Sequence, residues 1–283
     1  MDARFVTKYN KRGFSMNRII VALSILLVSL NSYAWNQRTP LAVAQCAVHA
    51  PYGLSTTKKV LQPICRQAYL VEYDAVAKIP NNVSWTVTPD HVIGCIARTN
   101  AFVADASIVG GPTPDDYVGS GYDKGHVAPD GDQSWDVQVE FESFLMTNMF
   151  PQAGSLNRGI WKILETSVRG WTYQLNQNFT TYAGAIYSFT DKKIGNGVVV
   201  PHAYYKIVIN DVTGEVAGWY FPHTAPYPNL GTDLTKFRKP IADIQKEAGI
   251  TYKYPANAKE LAPGKEWPVN FGALTKAKQV KCK

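Results

Sequence analysis

The side chains best suited to chemistry lie between Tyr122 and Arg169. His126 stands in Tyr-Asp-Lys-Gly-His-Val-Ala-Pro. Asn157 and Glu165 stand in Leu-Asn-Arg-Gly-Ile-Trp-Lys-Ile-Leu-Glu, with Arg169 four residues on. An imidazole titrates near neutrality and suits general-base work. An amide and a carboxylate offer oxygen donors to a hard cation, and a guanidinium answers a phosphate. Together these types suit metal-dependent hydrolysis of a phosphodiester, where a base activates water and the leaving oxygen needs charge stabilisation. Each has a blander reading alone: Asn157 as a cap, Glu165 and Arg169 as a solvated pair, His126 as a structural or exposed histidine. Their coincidence on separate elements favours the chemical reading.

The elements that must position them read as strand, long loop, strand, helix. Ile160, Ile163, Leu164 and Val168 recur at helical spacing and mark one buried face. At about 100° per residue, Asn157, Glu165 and Arg169 fall within about 120° of one another along one edge. The helix is expected to open on Asn157, where free backbone N–H groups and the dipole favour an anion. Gly125 lets the histidine strand bend or approach another group, and Pro129 ends it. Asp130 to Glu142 is expected to bridge the two strands as an acidic, solvated segment. Its carboxylates Asp130, Asp132 and Asp136 invite a metal reading, but acidic loops are usually just solvated.

These blocks resemble the DNA/RNA non-specific endonucleases, the family of secreted sugar-non-specific nucleases and mitochondrial endonuclease G. The family's Asp-Arg-Gly-His stands here as Asp123, Lys124, Gly125 and His126. Its second block is matched by Thr147, Asn148, Pro151, Gln152, Asn157, Gly159, Trp161, Leu164 and Glu165. Val200 to Lys206 and Phe237-Arg238, ahead of a last helix, also look similar, and the likeness runs from about Cys95 to about Ile250.

The resemblance implies an α+β fold: a ββα-metal finger on a central, mostly antiparallel sheet flanked by helices. It also implies DNA and RNA as substrates and Mg2+ as cofactor, with Mn2+ as an alternative. His126 would be the general base and Asn157 the one direct protein ligand of a mostly hydrated ion. Glu165 would act on that ion through water, while Arg98, Lys124 and Arg169 would bind phosphate. Lys124 departs from the family arginine, keeping the charge but losing the planar fork. A homodimer is left open. The other readings are a weak or inactive nuclease-fold protein that only binds nucleic acid, and a serine hydrolase. Gly119-Ser120-Gly121 lacks the nucleophile elbow of the latter.

The chain has 283 residues, 46% of them hydrophobic, enough to build a sizeable core. Met16-Asn17-Arg18, the apolar run Ile19 to Leu30 and Ser32-Tyr33-Ala34 read as a secretory signal cleaved after Ala34. Residues 1–34 are thus a signal peptide with an upstream extension, translation starting at Met16, and 35–283 one nuclease domain. The run is short for a membrane span, so no stable membrane association is expected after cleavage, and the product is secreted or periplasmic. Of 29 basic and 22 acidic residues, cleavage removes five and one, leaving 24 against 21, a formal +3. Overall charge is therefore weak evidence for a polyanionic partner, and local placement must decide.

Four cysteines in an exported chain suggest two disulfides, and no Cys-x-x-Cys suggests structural zinc. Three pairings are open; proximity favours Cys46 with Cys65, which leaves Cys95 with Cys282. Further strands are expected at Tyr69–Val76, Ser84–Val87, Phe179–Tyr187, Ala203–Ile209 and Val216–Phe221. A helix is expected over Asp233–Ala248, stopped by Gly249.

Overall fold

The segments Phe179–Ile186 and Ala203–Asn210 are buried at every position. Such strands need cover on both faces, so other layers must pack on either side of them. The computed structural model describes residues 39–283; the expected signal sequence lies outside the described residues.

In chain order, β1 (Thr56–Thr57), β2 (Gln62–Cys65), β3 (Leu70–Asp74) and β4 (Ile79–Val87) come first. Then β5 (Asp123–His126) leads into the short helices α1 (Asp130–Gln133) and α2 (Val137–Ser143) and on to β6 (Met149–Gln152). One helical turn, α3 (Gly154–Leu156), a wide π-type turn at Asn157–Trp161 and the long α4 (Lys162–Leu175) follow. The rest is β7 (Phe179–Ile186), β8 (Lys193–Ile194), β9 (Val198–Val199), β10 (Ala203–Asn210), β11 (Glu215–Pro222), α5 (Ile241–Ala248), β12 (Ile250–Thr251), β13 (Lys259–Glu260) and α6 (Phe271–Lys281).

Seven strands form the central sheet in the order β13-β11-β10-β7-β4-β3-β2, antiparallel except where β13 joins β11. Side chains alternate between its faces. Tyr205, Ile207 and Ile209 pack on one side with Ile241 and Ile244 of α5. Tyr204 and Val208 point to the other, with Trp161, Leu164 and Val168 of the finger helix. Lys206 shares the parity of Tyr204 and Val208, so the register carries a buried ammonium towards α4. β5 and β6 pair antiparallel as a separate ribbon, with His126 opposite Met149. The two strands and α4 make the expected finger against the mixed α+β sheet.

Several expectations change. Asp130–Glu142 is no solvated bridge: it forms α1 and α2, and Asp132, Glu140 and Glu142 are buried. Asp136 starts α2 as its N-cap, accepting from the N–H groups of Gln138 and Val139. Asn157 does not open the helix, because α3 precedes it. Gly159 departs from helical geometry within the wide turn, and Ile163 is only partly buried. Asp233–Ala248 is broken: a 3-10 turn covers Leu234–Phe237, and α5 begins after Pro240, whose ring and missing N–H forbid a continuous helix. Gly249 ends α5 at φ 62° as expected. The helix after Phe237-Arg238 is not the last one, since α6 lies beyond it.

Both disulfides are present, Cys46–Cys65 and Cys95–Cys282. Among the described residues, no helix is long and apolar enough to cross a membrane.

Candidate active site

His126 closes β5. Its ring is 7% exposed, edge-on to Phe144 with centroids 4.8 Å apart and tilted to Phe102 at 5.5 Å. The buried Nε2 has no hydrogen-bond partner among the described residues. Burial, and then the positive charge of Arg98, push the pKa down to about 3. The imidazole is therefore neutral at pH 7, with a lone pair free. Its backbone carbonyl accepts from Trp161 Nε1 at 3.2 Å, which ties the strand end to the helix.

Asn148 locks the same corner from below. Its Oδ1 accepts from the N–H of Ala128, and its Nδ2 donates to the carbonyls of Ala128 and Ser143, all at 2.9 Å. Thr147 beside it donates to Asp105 at 2.6 Å, a carboxylate also paired with buried Arg66.

Arg98, Lys124, His126, Asn157, Glu165 and Arg169, which the sequence singled out, all line one cavity of about 380 Å³. Asn157 Nδ2 donates to Asp123 Oδ2 at 2.9 Å, which leaves the amide oxygen free of that bond. Glu165 lies deeper; its Oε1 accepts from Lys206 Nζ at 3.3 Å. Burial raises the Glu165 carboxyl, opposed by the nearby Lys206 and Arg169. Burial lowers Lys206, opposed by Glu165 and Asp132. Lys206 also sits 4.1 Å from the Trp161 ring centroid. Arg98 is held at both ends of its short segment. Glu140 of α2 accepts from the Thr99 N–H at 2.8 Å, and Arg98 Nη1 reaches Asp130 at 3.2 Å. Its side chain remains 44% exposed.

Arg169 is not paired with Glu165 as a solvated couple. Its Nη1 donates to Asp132 Oδ1 at 2.7 Å, while Asp132 Oδ2 accepts from Trp85 Nε1 at 2.8 Å. The guanidinium lines the cavity but is anchored from behind by a buried carboxylate. Lys124 Nζ lies 4.9 Å from the Phe102 ring centroid.

The sequence reading missed four participants: Asp123 and Lys206, which hold Asn157 and Glu165, and Arg158 and Lys162, which add charge to the cavity wall. Arg158 and Lys162 are spaced i, i+4 beside Asn157, a signal that was available. With Arg98, Lys124 and Arg169 they make five basic residues in the wall against the acidic Asp130 and Glu165. A chain of modest net charge thus concentrates positive potential at this cleft.

The donor chemistry fits a hydrated hard cation. Asn157 and Glu165 present oxygens, and among the described residues no group of three or more His, Cys, Asp and Glu converges to enclose an ion. An ion held by so few protein donors would have to keep most of its water.

A two-stranded ribbon and helix carrying histidine, asparagine and glutamate on a mixed sheet define a ββα-finger nuclease fold. The comparisons agree. The family model for DNA/RNA non-specific endonucleases matches residues 50–259, and the chain belongs to that family. It is 26% identical to Nuclease C1 of Cunninghamella echinulata var. echinulata over 210 residues, 66% of this chain and 81% of that one. It is likewise 26% identical to the nuclease of Serratia marcescens over 247 residues, 83% of this chain and 88% of the other. A solved structure of an EndoG/EndoGI complex contains a chain of the same fold, with TM-score 0.68 and 23% identity, covering 82% of this chain and all of that one.

Proposed function

We propose that this protein is a secreted or periplasmic, magnesium-dependent endonuclease that hydrolyses DNA and RNA with little sequence specificity, made as a precursor with residues 1–34 as signal peptide. The observation that carries the reading is the convergence of His126, held neutral by burial, with Asn157, Glu165 and five basic side chains on one cavity. A neutral imidazole in the wall of an electropositive cleft suits proton abstraction from a water facing a phosphodiester.

The exposed Arg98 and the half-buried Lys124 draw in the phosphate and offset its charge as it gains negative character. Arg169, fixed by Asp132, holds a donor in a set direction. His126 takes the proton of the attacking water. Asn157, through its amide oxygen, and Glu165 are the residues that would hold a magnesium ion. When bound, that ion stabilises charge on the leaving oxygen. Contacts of this kind reach backbone phosphate rather than base edges, which supports low sequence specificity and tolerance of both sugars.

The test is direct. Purified mature protein should nick plasmid DNA and degrade RNA in magnesium and stop in excess chelator. His126→Ala should lower kcat by about 10²- to 10⁴-fold while still binding DNA in chelator. Near-wild-type turnover by that variant would remove this mechanism. Binding without hydrolysis by the wild type would leave only the nucleic-acid-binding alternative.

A further inference from the structure

The C-terminal helix α6 is held in place without a core of its own. None of its residues is buried, and only Leu274 leans on the main core. Helices in globular proteins normally draw their stability from a buried apolar face. This one is fixed at its ends instead. Just before it, Trp267 is 5% exposed, donates to Glu215 at 2.9 Å and packs against Trp171 with centroids 5.0 Å apart. Just after it, Cys282 is bonded to Cys95, three residues ahead of Arg98.

The helix so fixed is a one-sign charge array. Lys276, Lys278, Lys281 and Lys283 are exposed, and no acidic residue occurs between Phe271 and the last residue. Among the described residues none of the four forms an ion pair. Lys278 and Lys281 are spaced i, i+3 on one face, where like charges repel. The helix dipole accounts for lysine in the last turn but not for Lys276 in the middle. Lys278 and Thr275 line a cavity of about 290 Å³ whose opposite wall is Gly131 and Arg169. Those two residues also line the catalytic cavity. Lys278 therefore borders a groove that meets the cleft at Gly131 and Arg169, with Lys281 about 60° from it around the helix and Lys276 on the far side.

We propose that α6 is an accessory phosphate-binding track, on which Lys278 and Lys281 hold the sugar-phosphate backbone of the nucleic acid strand beyond the scissile phosphate. This rests on the nuclease reading of the cleft. One or two phosphates held there register a long substrate against His126 without reading its bases, and a substrate too short to reach α6 gains nothing from it.

The experiment uses the full mature chain with Lys278 and Lys281 each changed to Gln. A control variant has Lys58→Gln and Lys246→Gln, exposed lysines lining a separate cavity between the β1 and α5–β12 segments. Binding of a fluorescent DNA duplex is measured in chelator by anisotropy across a KCl series. The α6 variant should bind on the order of tenfold more weakly at moderate salt, with a slope of log K against log salt less steep by about 1–2. The control should keep the wild-type slope. In magnesium, the KM for long DNA should rise with kcat kept, and kcat/KM for bis(p-nitrophenyl) phosphate should not change.

An unchanged slope and KM in the α6 variant would overturn the track and leave the nuclease reading intact. Equal loss in the control would reduce the effect to net charge and overturn it too. Lost binding to anionic phosphatidylglycerol vesicles with DNA binding unchanged would assign the helix to membranes and overturn it likewise. A wild type that hydrolyses nothing would sink the nuclease reading, and the slopes in chelator would still decide the fate of the track.

Discussion

His126 is kept neutral by its surroundings, and that has a sign. Its folded pKa of about 3 lies below the ordinary 6.5, through burial first and Arg98 second. The neutral form therefore contributes stability that is complete above pH 6.5 and is lost as pH falls towards 3. The same shift governs rate. The acid limb of kcat/KM, which reports the free enzyme, should lie well below pH 6.5. A phosphate arriving beside Arg98 offsets the charge that depresses the imidazole, so the limb in kcat should lie higher than that in kcat/KM. A pH–rate profile at saturating and limiting DNA checks both, and a kcat/KM limb at 6.5 would contradict the buried geometry. Lys206 acts on the site through Glu165. Lys206→Met keeps the volume roughly constant but leaves the largely buried Glu165 without its ammonium. The magnesium midpoint for cleavage should rise about tenfold, the usual scale for lost outer partners of a metal site. Isothermal titration of magnesium into the variant with a non-cleavable oligonucleotide should show the same weakening. An unchanged midpoint would reduce Lys206 to core filling.

The finger is the element that turns these residues into a site, and its tolerance is small. A Cβ on Gly125 would overlap the Oε1 and Cδ of Gln152, which is fully buried and has no room to retreat. Gly125→Ala should therefore push β5 from β6 next to His126, costing about 1–3 kcal/mol of stability and a larger share of kcat. Thermal unfolding and turnover measured on one preparation test this; wild-type kcat would show the strand pair to be more pliant than it looks. The elements also show what the sequence could reveal. β7, β10 and β11 were legible because long β-branched and aromatic runs have few alternatives, and Gly249 was legible as a helix stop. The break before α5 was available in Pro240 but was overridden by the apolar spacing of Leu234, Phe237, Ile241 and Ile244. α1 and α2 were illegible because an acidic segment looks solvated until tertiary partners are known. Asp132 is buried only because Trp85 and Arg169 meet it, and Glu140 because Thr99 does. The residues proposed to hold the ion came from the family resemblance, whereas Lys206 needed the sheet register and the packing of α4 upon it.

At the scale of the molecule, the two disulfides divide unequal tasks. Cys46–Cys65 spans a separation of 19 residues and closes a local loop, whereas Cys95–Cys282 spans 187 and ties the end of the chain to the segment carrying Arg98. In the chain-entropy model, loops of those lengths stabilise by about 3 and about 5 kcal/mol, less any native strain. The long one should dominate thermal stability. Changing both Cys95 and Cys282 to Ser should lower Tm by roughly 10–20 °C, given the few degrees that each kcal/mol is worth in a domain of this size. The Cys46/Cys65 double variant should lose less. Only the first should also mislay function. With the staple gone, α6 has Leu274 and its Trp267 anchor but nothing at its far end, and the Arg98 segment loses its brace. At a temperature where the fold persists, the Cys95/Cys282 variant should therefore bind duplex DNA with a shallower salt dependence, like the lysine variant, whereas the Cys46/Cys65 variant should not. Non-reduced tryptic peptides should link Cys95 to Cys282. Alkylation of Cys282 in native, unreduced protein would remove the staple, and equal Tm losses in the two variants would show that loop length does not set the hierarchy.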